Sequence, residues 1–396
     1  MTEVVIASAT RTAIGDFGGA LAGIAPCDLG AMVARDAIAR AGITADAVEQ
    51  TVFGHVIPTA PEDMYLSRVA AIRAGVPETA PALTLNRLCG SGLQAVVTAA
   101  DQIWLGRARI ALAGGAESMS RAGHLMSIRA GHRMGDATAV DMMLGALTDP
   151  FGGIHMGVTA ENVARLDGID RAAQDELALA SHQRAATAIA EGRFRDQILP
   201  VTVTKGRKEV VFDTDEHVRT GMTIEELARL RPVFQKDGTV TAGNASSLND
   251  GAAALVLMAA DEAHQRGIAP LARIVAYGLG GVAPDLMGLG PIPATHQALE
   301  RAGLNIADLD VIESNEAFAA QACAVSASLG FDPARVNPNG GAIALGHPVG
   351  ASGAIILTKL IYELLRSGGR YGLATMCIGG GQGIAVIIEA IGGPRA

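Results

Sequence analysis

The chain has 396 residues, of which 49% are hydrophobic and 18% are charged. This composition predicts a well-cored protein of two or three domains and excludes intrinsic disorder, which requires low hydrophobicity and high charge. The net charge of −9 argues against a nucleic-acid-binding protein, because such proteins normally carry a basic surplus.

Short apolar runs alternate with amphipathic stretches along the first part of the chain. The apolar runs predict buried strands at Glu3–Ala9, Gln50–Val56, Ala82–Asn86 and Ala108–Glu117. Helical periodicity predicts helices at Asp28–Gly42 and Leu93–Gly106, each closed by a glycine. Alternation of this kind indicates an α/β fold whose strands are buried on both faces.

Residues 120–245 have a different character. They contain the Gly/His/Met/Arg-rich run "RAGHLMSIRAGHRMGD", a polar helix over Ile169–Gly192 and the charged segment Lys205–Arg219. The region is too long to be a simple connection between two elements. It is therefore predicted to be an inserted loop domain.

The pattern of the first part returns near the end of the chain. "AIARAGITADAVEQTVF" begins at Ala37, and the similar "ALERAGLNIADLDVIES" begins 261 positions later at Ala298. Cys89 opens a Gly/Ser turn before an apolar helix, and His347 does the same 258 positions later. Chance similarity between Gly/Ala-rich segments is the alternative, but the common order and spacing favour two copies of one α/β unit.

Cys89 lies in "NRLCGSGLQAV", directly before a predicted helix. Unpaired backbone N–H groups and the positive end of the helix dipole favour a thiolate at such a position, and the thiolate is the nucleophilic form. A small buried packing residue is the alternative, since free cysteine is often buried. The motif alone leaves both interpretations open.

Three more positions carry residue types suited to catalysis. His347 in "GHPVGASG" is of the type that takes a proton from an activated thiol, and Cys377 precedes a glycine loop that begins at Gly379. The backbone N–H groups of that loop could donate to an oxyanion. Asn315, after the apolar run "DLDVIE", could fix a water or simply cap a helix. Each position considered alone has a structural alternative.

Taken together and in this order, "NRLCGSGLQAV", "NEAFAAQ", "NGGAIALGHPVGASGA" and "CIGGGQG" resemble the signatures of the thiolase family. The resemblance extends through "HMGVTAEN" and "TAGNASSLNDGAAA", and is greatest to the short-chain, biosynthetic-type acetyl-CoA acetyltransferases and β-ketothiolases. It implies a five-layered αβαβα fold made of two similar βαβαβαββ halves plus an inserted loop domain. The expected boundaries are 1–119 and 246–268 for the N-terminal half, 120–245 for the loop domain and 269–396 for the C-terminal half.

The resemblance also implies a role for each catalytic candidate. Cys89 would accept the acyl group from acyl-CoA, His347 would activate that thiol, and Cys377 would act as the acid and base of the condensation. Asn315 would hold a water that forms one oxyanion hole with His347. The backbone N–H groups of Cys89 and Gly379 would form the other oxyanion hole, and no metal or redox cofactor would be needed.

CoA and acyl-CoA are the expected ligands, held largely by the loop domain. The family-like binding positions are His155, Met156, Arg219, Phe234, Ala242, Ser246, Leu248, Met287 and Phe318. Of these, Met287 and Phe318 are expected near the acyl end. Glu225 and Glu226 stand where relatives often have a small polar residue, and could weaken contact with the adenine end.

Other functions remain open at this point. They are a degradative 3-ketoacyl-CoA thiolase of broader chain length, a condensing enzyme acting on a carrier protein, a non-catalytic acyl-CoA- or lipid-binding protein, and a redox-regulated protein whose Cys89 and Cys377 cross-link. Cys377 and the "GHP" turn favour a thiolase over the carrier-protein enzymes.

The expected setting is the cytoplasm. The N-terminus does not resemble a signal peptide, no apolar run reaches membrane-spanning length, and four cysteines without a metal or disulfide spacing fit a reducing compartment. No membrane or nucleic-acid partner is expected. The run "RAGHLMSIRAGHRMGD" resembles the tetramerisation loop of short-chain relatives, so a homotetramer made of two dimers is expected.

Overall fold

The computed structural model describes residues 2–391. Met1 and residues 392–396, which belong to the two predicted halves, lie outside the described residues. The strands, numbered β1 to β15 in chain order, are Val4–Thr12, Gly15–Asp16, Gln50–Gly54, Ala82–Leu85, Ile110–Ser118, His124–Leu125, Val140–Asp141, Ile198–Leu199, Val201–Lys205, Lys208–Phe212, Asn249–Ala259, Ala272–Gly281, Val311–Ser314, Tyr371–Ile378 and Gln382–Ala390.

The α-helices connect and cover these strands. Numbered α1 to α12 in chain order, they are Pro26–Arg40, Leu66–Arg73, Ser91–Trp104, Met142–Ala146, Met156–Asp167, Arg171–Ala190, Ile224–Ala228, Ala260–Gln265, Pro291–Ala302, Ala319–Leu329, Ala342–Leu345 and Val349–Ser367. Among the described residues, none of these helices has the length and apolar character needed to cross a bilayer.

The principal strands form two sheets of the same topology that meet at one edge. The first follows the order β1-β11-β5-β3-β4, and the second follows β12-β15-β14-β13. In both, the first strand of the half pairs with its last strand; the first sheet then continues through β5, β3 and β4, and the second through β14 and β13. The sheets join where β1 and β12 pair antiparallel at Val5 with Arg273 and at Ile6 with Ala272. This topology agrees with the internal repeat seen in the sequence.

Three apolar clusters separate the layers. Helices α1 and α2 pack on the outer face of the first sheet, for example through Leu29 and Leu66. Helices α9 and α10 cover the outer face of the second sheet through residues such as Leu299 and Val325. Helices α3 and α12 share one cluster with strands of both sheets, so they form the middle layer. The five-layered αβαβα prediction is confirmed.

Glycines permit the two central helices to lie very close to the first sheet. A Cβ atom on Gly54 would lie 2.5 Å from the carbonyl carbon of Ser91, at the start of α3. A Cβ atom on Gly115 would lie 2.2 Å from the carbonyl oxygen of Gly350, at the start of α12. Because both approaches are to backbone, any side chain there would push a helix away. The N-termini of α3 and α12 are therefore held next to each other.

The predicted elements match the observed ones closely. Helix α1 ends at a turn in which Gly42 has φ of +68°, and α3 begins two residues before the predicted start. Within the region predicted as a loop domain, α6 (Arg171–Ala190) corresponds to the helix predicted over Ile169–Gly192. The side chain of Asp170 caps its N-terminus. The exact boundaries of the three predicted domains stay predictions.

Candidate active site

A cavity of about 620 Å³ lies at the junction of the two halves and the region between β5 and β11. Every predicted catalytic or binding residue except Asn315 lines it. The predicted positions are separated by hundreds of residues in sequence, so only the packing of α3, α12 and β14 brings them together.

Cys89 precedes α3 in a strained turn. Leu88, the residue before it, has φ of +47°, an uncommon conformation for a branched side chain. The turn is held by the Ser91 side chain, whose Oγ donates to the carbonyl oxygen of Leu88 at 2.6 Å and accepts from the N–H of Arg87 at 2.8 Å. The geometry directs Cys89 toward the cavity and leaves α3 without a side-chain cap, because its N-cap residue is Gly90.

Burial, rather than the helix end, dominates the acidity of this thiol. Loss of solvent raises the pKa of Cys89 to about 11, while the backbone N–H groups of Gly379 and of Cys89 itself act to lower it. The charge of Glu117 adds to the increase. The N–H groups therefore act in the direction expected from the sequence, but desolvation outweighs them and keeps the thiol protonated near neutral pH.

His347 is fixed by hydrogen bonds on two sides. Its backbone N–H donates to Asn249 Oδ1 at 2.8 Å, and its Nδ1 lies 2.6 Å from Ser352 Oγ. Nε2 is buried and has no hydrogen-bond partner among the described residues. Burial lowers the pKa of His347 to about 4, so the imidazole is neutral near pH 7 and can accept a proton.

Cys377 lies one residue before the end of β14, buried with the side chains of Met156, Met287 and Phe318. Burial raises the pKa of this thiol well above its usual range, and the neighbouring Cys89 raises it further. The two thiols thus interact electrostatically within one cavity. After Cys377 the chain turns through Gly380 and Gly381, both with positive φ, which brings the N–H of Gly379 to Cys89.

Asn315 is not among the residues that line the main cavity. It follows β13, is only 2% exposed, and lines a much smaller cavity together with Ser352. Its backbone N–H donates to the carbonyl oxygen of Thr375 at 3.0 Å, whereas its Nδ2 has no partner among the described residues. Ser352 lines this small cavity and its Oγ also forms the hydrogen bond with His347 Nδ1. Asn315 therefore lies close to the serine that orients the imidazole of His347.

The opposite wall of the cavity is apolar and aromatic. The ring of His155 stacks on Phe234 at 4.7 Å between centroids, and Phe234 meets Phe318 edge to face at 6.2 Å. His155 also caps α5, because its Nδ1 accepts from the N–H of Gly157 at 3.0 Å. Burial lowers the pKa of His155, so this wall stays uncharged near neutral pH.

Two family models together match almost the whole chain. The family model "Thiolase, N-terminal domain" matches residues 4–261, and "Thiolase, C-terminal domain" matches residues 268–390. The chain belongs to the thiolase family. The predicted family membership is confirmed.

Individual relatives cover nearly the whole of this thiolase. It is 64% identical to beta-ketothiolase BktB of Cupriavidus necator and 54% identical to acetyl-CoA acetyltransferase of Shinella zoogloeoides, each over 98% of this chain and 99% of the relative. The crystal structure of the Bacillus anthracis acetyl-CoA acetyltransferase has a TM-score of 0.96 and 46% identity over 99% of both chains. Human mitochondrial 3-ketoacyl-CoA thiolase in complex with CoA has a TM-score of 0.95 and 43% identity over 98% of both chains.

The cavity of this thiolase includes residues that the sequence motifs did not reveal. Most are apolar side chains from the region between β5 and β11, where no periodic pattern marks a binding surface. His217 could have been noticed, since it lies two positions before Arg219 in a charged segment. The additional lining residues with large side chains include Met119, Met143, Leu144, Leu147, His217 and Val233.

His217 and Arg219 both lie in the lining and both adjoin His182. His217 Nδ1 lies 2.7 Å from Asp16 Oδ1, and the N–H of Arg219 donates to His182 Nδ1 at 3.2 Å. Burial is the main cause that lowers the pKa of His182 to about 4, followed by the charges of His217 and Arg219. Arg219 therefore contributes a guanidinium to the lining beside an imidazole that is paired with Asp16.

The acidic pair at Glu225 and Glu226 does not line the cavity of this thiolase. Glu226 instead forms a capping box with Thr223, in which the N–H of Thr223 donates to Glu226 Oε2 at 3.0 Å. The side chain of Glu226 is thus committed to the start of α7.

Proposed function

We propose that this chain catalyses the reversible Claisen condensation of acetyl-CoA with acetyl-CoA or another short acyl-CoA, through an acyl-Cys89 intermediate. The products are a β-ketoacyl-CoA and free CoA. One observation carries the proposal: two thiols and a neutral imidazole with a free Nε2 line the same cavity. This set supplies the nucleophile, the acceptor of its proton and a second acid or base.

The first half-reaction transfers the acyl group. Cys89 Sγ attacks the thioester carbonyl carbon while His347 Nε2 takes the thiol proton. The C–S bond to CoA then breaks, and Cys377 donates its proton to the departing CoA sulfur. The N–H groups of Cys89 and Gly379 are suited to stabilise the oxyanion, because both already point at the thiol.

The second half-reaction uses the charges left by the first. The Cys377 thiolate removes a proton from the methyl carbon of the bound acetyl-CoA, and the resulting carbanion attacks the acyl carbon on Cys89. The C–S bond to Cys89 breaks, and His347 returns its proton to the sulfur. A raised pKa makes the Cys377 thiolate a strong base for this step.

Asn315 is proposed to support the oxyanion of the second thioester through a water shared with His347. Two unpartnered buried atoms, Asn315 Nδ2 and His347 Nε2, support this role. Buried polar atoms without a protein partner commonly bond to an internal water. No step of this mechanism needs a metal or redox cofactor.

CoA thioesters are the proposed ligands. A solved structure of human mitochondrial 3-ketoacyl-CoA thiolase is a complex with CoA. In this chain Arg219 and His217 offer cationic or donor groups to the phosphates, while the apolar wall suits the pantetheine arm. A cytoplasmic location and a homotetramer are proposed together with this function.

A broader range of acyl chain lengths is a second candidate. Met143, Met156 and Met287 line the cavity, and unbranched methionine side chains adapt to ligands of different shape. Each added methylene would change binding by only about 0.8 kcal/mol. The preferred chain length therefore has to be measured.

The test is steady-state thiolysis of β-ketoacyl-CoA substrates with four, five, six and more carbons. We expect cleavage by free CoA, with the shorter substrates preferred. Brief exposure to radioactive acetyl-CoA should label the wild-type protein but not the Cys89→Ser variant. Absence of thiolysis and of any label on the wild type would contradict the proposal and favour a non-catalytic acyl-CoA-binding protein. A label on the wild type that peptide mapping finds on a residue other than Cys89 would contradict the acyl-Cys89 intermediate.

A further inference from the structure

Glu117 is a buried carboxylate close to the catalytic cysteine that the proposed mechanism does not use. It lies near the end of β5 and is 0% exposed. Its Oε2 accepts from the N–H groups of Val56 at 3.0 Å and Gly350 at 2.9 Å, and its Oε1 accepts from the N–H of Ile57 at 3.1 Å. His55 Nδ1 lies 3.3 Å from Oε1.

The bond to Gly350 crosses from one half of the molecule to the other. Gly350 is in the first turn of α12, the helix that begins directly after His347 and Pro348. Pro348, the N-cap residue, has no side-chain oxygen to accept from the free N–H groups of this turn. Glu117, in the N-terminal half, accepts the hydrogen bond that an N-cap side chain would otherwise accept. The contact is close, because a Cβ atom on Gly350 would lie 2.4 Å from Glu117 Oε2.

We propose that Glu117 is a positioning residue, whose carboxylate fixes the start of α12 and thereby holds the imidazole of His347 against Cys89. The kinetic test of this inference rests on the proposed function, because it measures thiolysis. Asn249, also from the N-terminal half, holds the backbone N–H of His347 itself. Two contacts from one half thus locate the catalytic imidazole supplied by the other.

The internal repeat supports this assignment. Phe53 pairs with Gly114 in the first sheet, and its repeat equivalent Ser314 pairs with Thr375 in the second. Counting from these pairs, Glu117 occupies the position of Ile378, each three residues further along its strand. Ile378 packs beside Gly90 at the start of α3, and Glu117 binds Gly350 at the start of α12. The equivalent strand end therefore carries an apolar side chain in one half and a helix cap in the other.

Glu117 also contributes charge to the site. Its backbone partners are all N–H donors, which the ionised carboxylate satisfies, although desolvation raises the pKa of the group. The groups that act on the pKa of the Cys89 thiol are Glu117 and the N–H donors of Gly379 and Cys89, while Cys377 and His347 line the same cavity. Removing the charge of Glu117 should make Cys89 more acidic.

The experiment compares Glu117→Gln and Glu117→Asp with the wild type. The first keeps the length of the side chain but loses the charge; the second keeps the charge but is too short to span from residues 56–57 to Gly350. Asp63→Asn is the matched control, because Asp63 is also buried and accepts from the N–H groups of Thr59 and Ala60 but does not line the cavity. Circular dichroism and thermal melting establish that each variant is folded.

Both Glu117 variants should lose on the order of 10- to 100-fold in kcat for thiolysis of acetoacetyl-CoA, with KM changed by less than about threefold. Asp63→Asn should keep kcat within about threefold of the wild type. Alkylation of Cys89 by iodoacetamide should shift to lower pH in Glu117→Gln but not in Glu117→Asp. If Glu117→Gln does not fold, the kcat of Glu117→Asp decides the proposal.

The proposal is overturned if either folded Glu117 variant keeps wild-type kcat, if Asp63→Asn loses as much, or if the alkylation profile of Glu117→Gln coincides with that of the wild type. Failure of the proposed function is distinguishable, because the wild type itself would then show no thiolysis. The alkylation readout would still test the link between Glu117 and Cys89.

Discussion

The N-termini of α3 and α12 occupy equivalent places in the two halves but differ in how their backbone N–H groups are capped. Before α3, the N-cap residue is Gly90, and the N–H of Cys89 is directed at its own thiol beside the cavity. Before α12, a carboxylate from the opposite half accepts from the N–H of Gly350. One helix end is thus left open toward a substrate, and the other is covered by Glu117.

The difference teaches that one local structure can serve chemistry or architecture, depending on what the facing strand end carries. An apolar side chain at that place, Ile378, leaves the helix end able to donate to an oxyanion, whereas a carboxylate, Glu117, uses the donors up. The predictions below test this division, beginning with the largest expected effect.

Removing the nucleophile at the open helix end should have the largest effect. Cys89→Ala should lower kcat for thiolysis by at least about 10⁴-fold, because the proposed nucleophile of the acyl intermediate is then missing. Steady-state assays with acetoacetyl-CoA and CoA measure the loss. Cys323→Ala, at a half-buried cysteine outside the cavity, is the control and should remain active.

Removing the imidazole at the covered helix end should have the next largest effect. His347→Ala should lower kcat by about 10³-fold with little change in KM, since the thiol proton then lacks an acceptor. Because His347 is neutral in the unliganded protein, alkylation of Cys89 should stay within about threefold of the wild type. An equal loss in both assays would instead indicate a resting thiolate–imidazolium pair.

Adding a methyl group at each helix start compares the two directly. A Cβ atom on Gly350 would lie 2.4 Å from Glu117 Oε2 and 3.0 Å from the Cα of His55, whereas one on Gly90 would meet the end of the Ile378 side chain at 2.4 Å. Gly350→Ala should destabilise the protein by about 1–3 kcal/mol, and Gly90→Ala by less, because Ile378 can rotate. Urea denaturation measures the free energy of unfolding of both variants. A larger loss of stability in Gly90→Ala than in Gly350→Ala would contradict the claim that Glu117 caps the start of α12.

The smallest expected effect is the difference in reactivity between the two thiols at the open end. Burial raises the pKa of Cys89 to about 11 and that of Cys377 further. Since only the thiolate reacts, alkylation of Cys89 should rise about tenfold per pH unit from pH 7 to about 9.5, without a plateau. Cys377 should react more slowly at each pH. Peptide mapping by mass spectrometry measures both rates, and a plateau for Cys89 below pH 9 would contradict the raised pKa.

The sequence predicted many of the residues that line the cavity because those residues lie in short local patterns. The turn before α3 and the glycine loop after Cys377 are encoded by neighbouring residues, so the motifs around Cys89 and Cys377 identified them without a structure. The internal repeat also came from local similarity, and the sheet order of both halves agrees with it.

Other site features were not predictable in this way. Met143, Leu147 and Val233 line the cavity but lie in segments whose pattern does not distinguish a binding wall from an ordinary core. The bond of Glu117 to Gly350 joins residues 233 positions apart, and no local pattern records such a contact.

The sequence by itself determined the family, the α/β class, the repeat and the identity of the reactive groups, because these depend on local composition and spacing. The tertiary structure decided the protonation of those groups. At Cys89 the helix end acts to lower the pKa, as the motif suggested, but burial among both halves raises it more. Desolvation depends on everything packed around an atom, so it becomes visible only when the two halves are folded together.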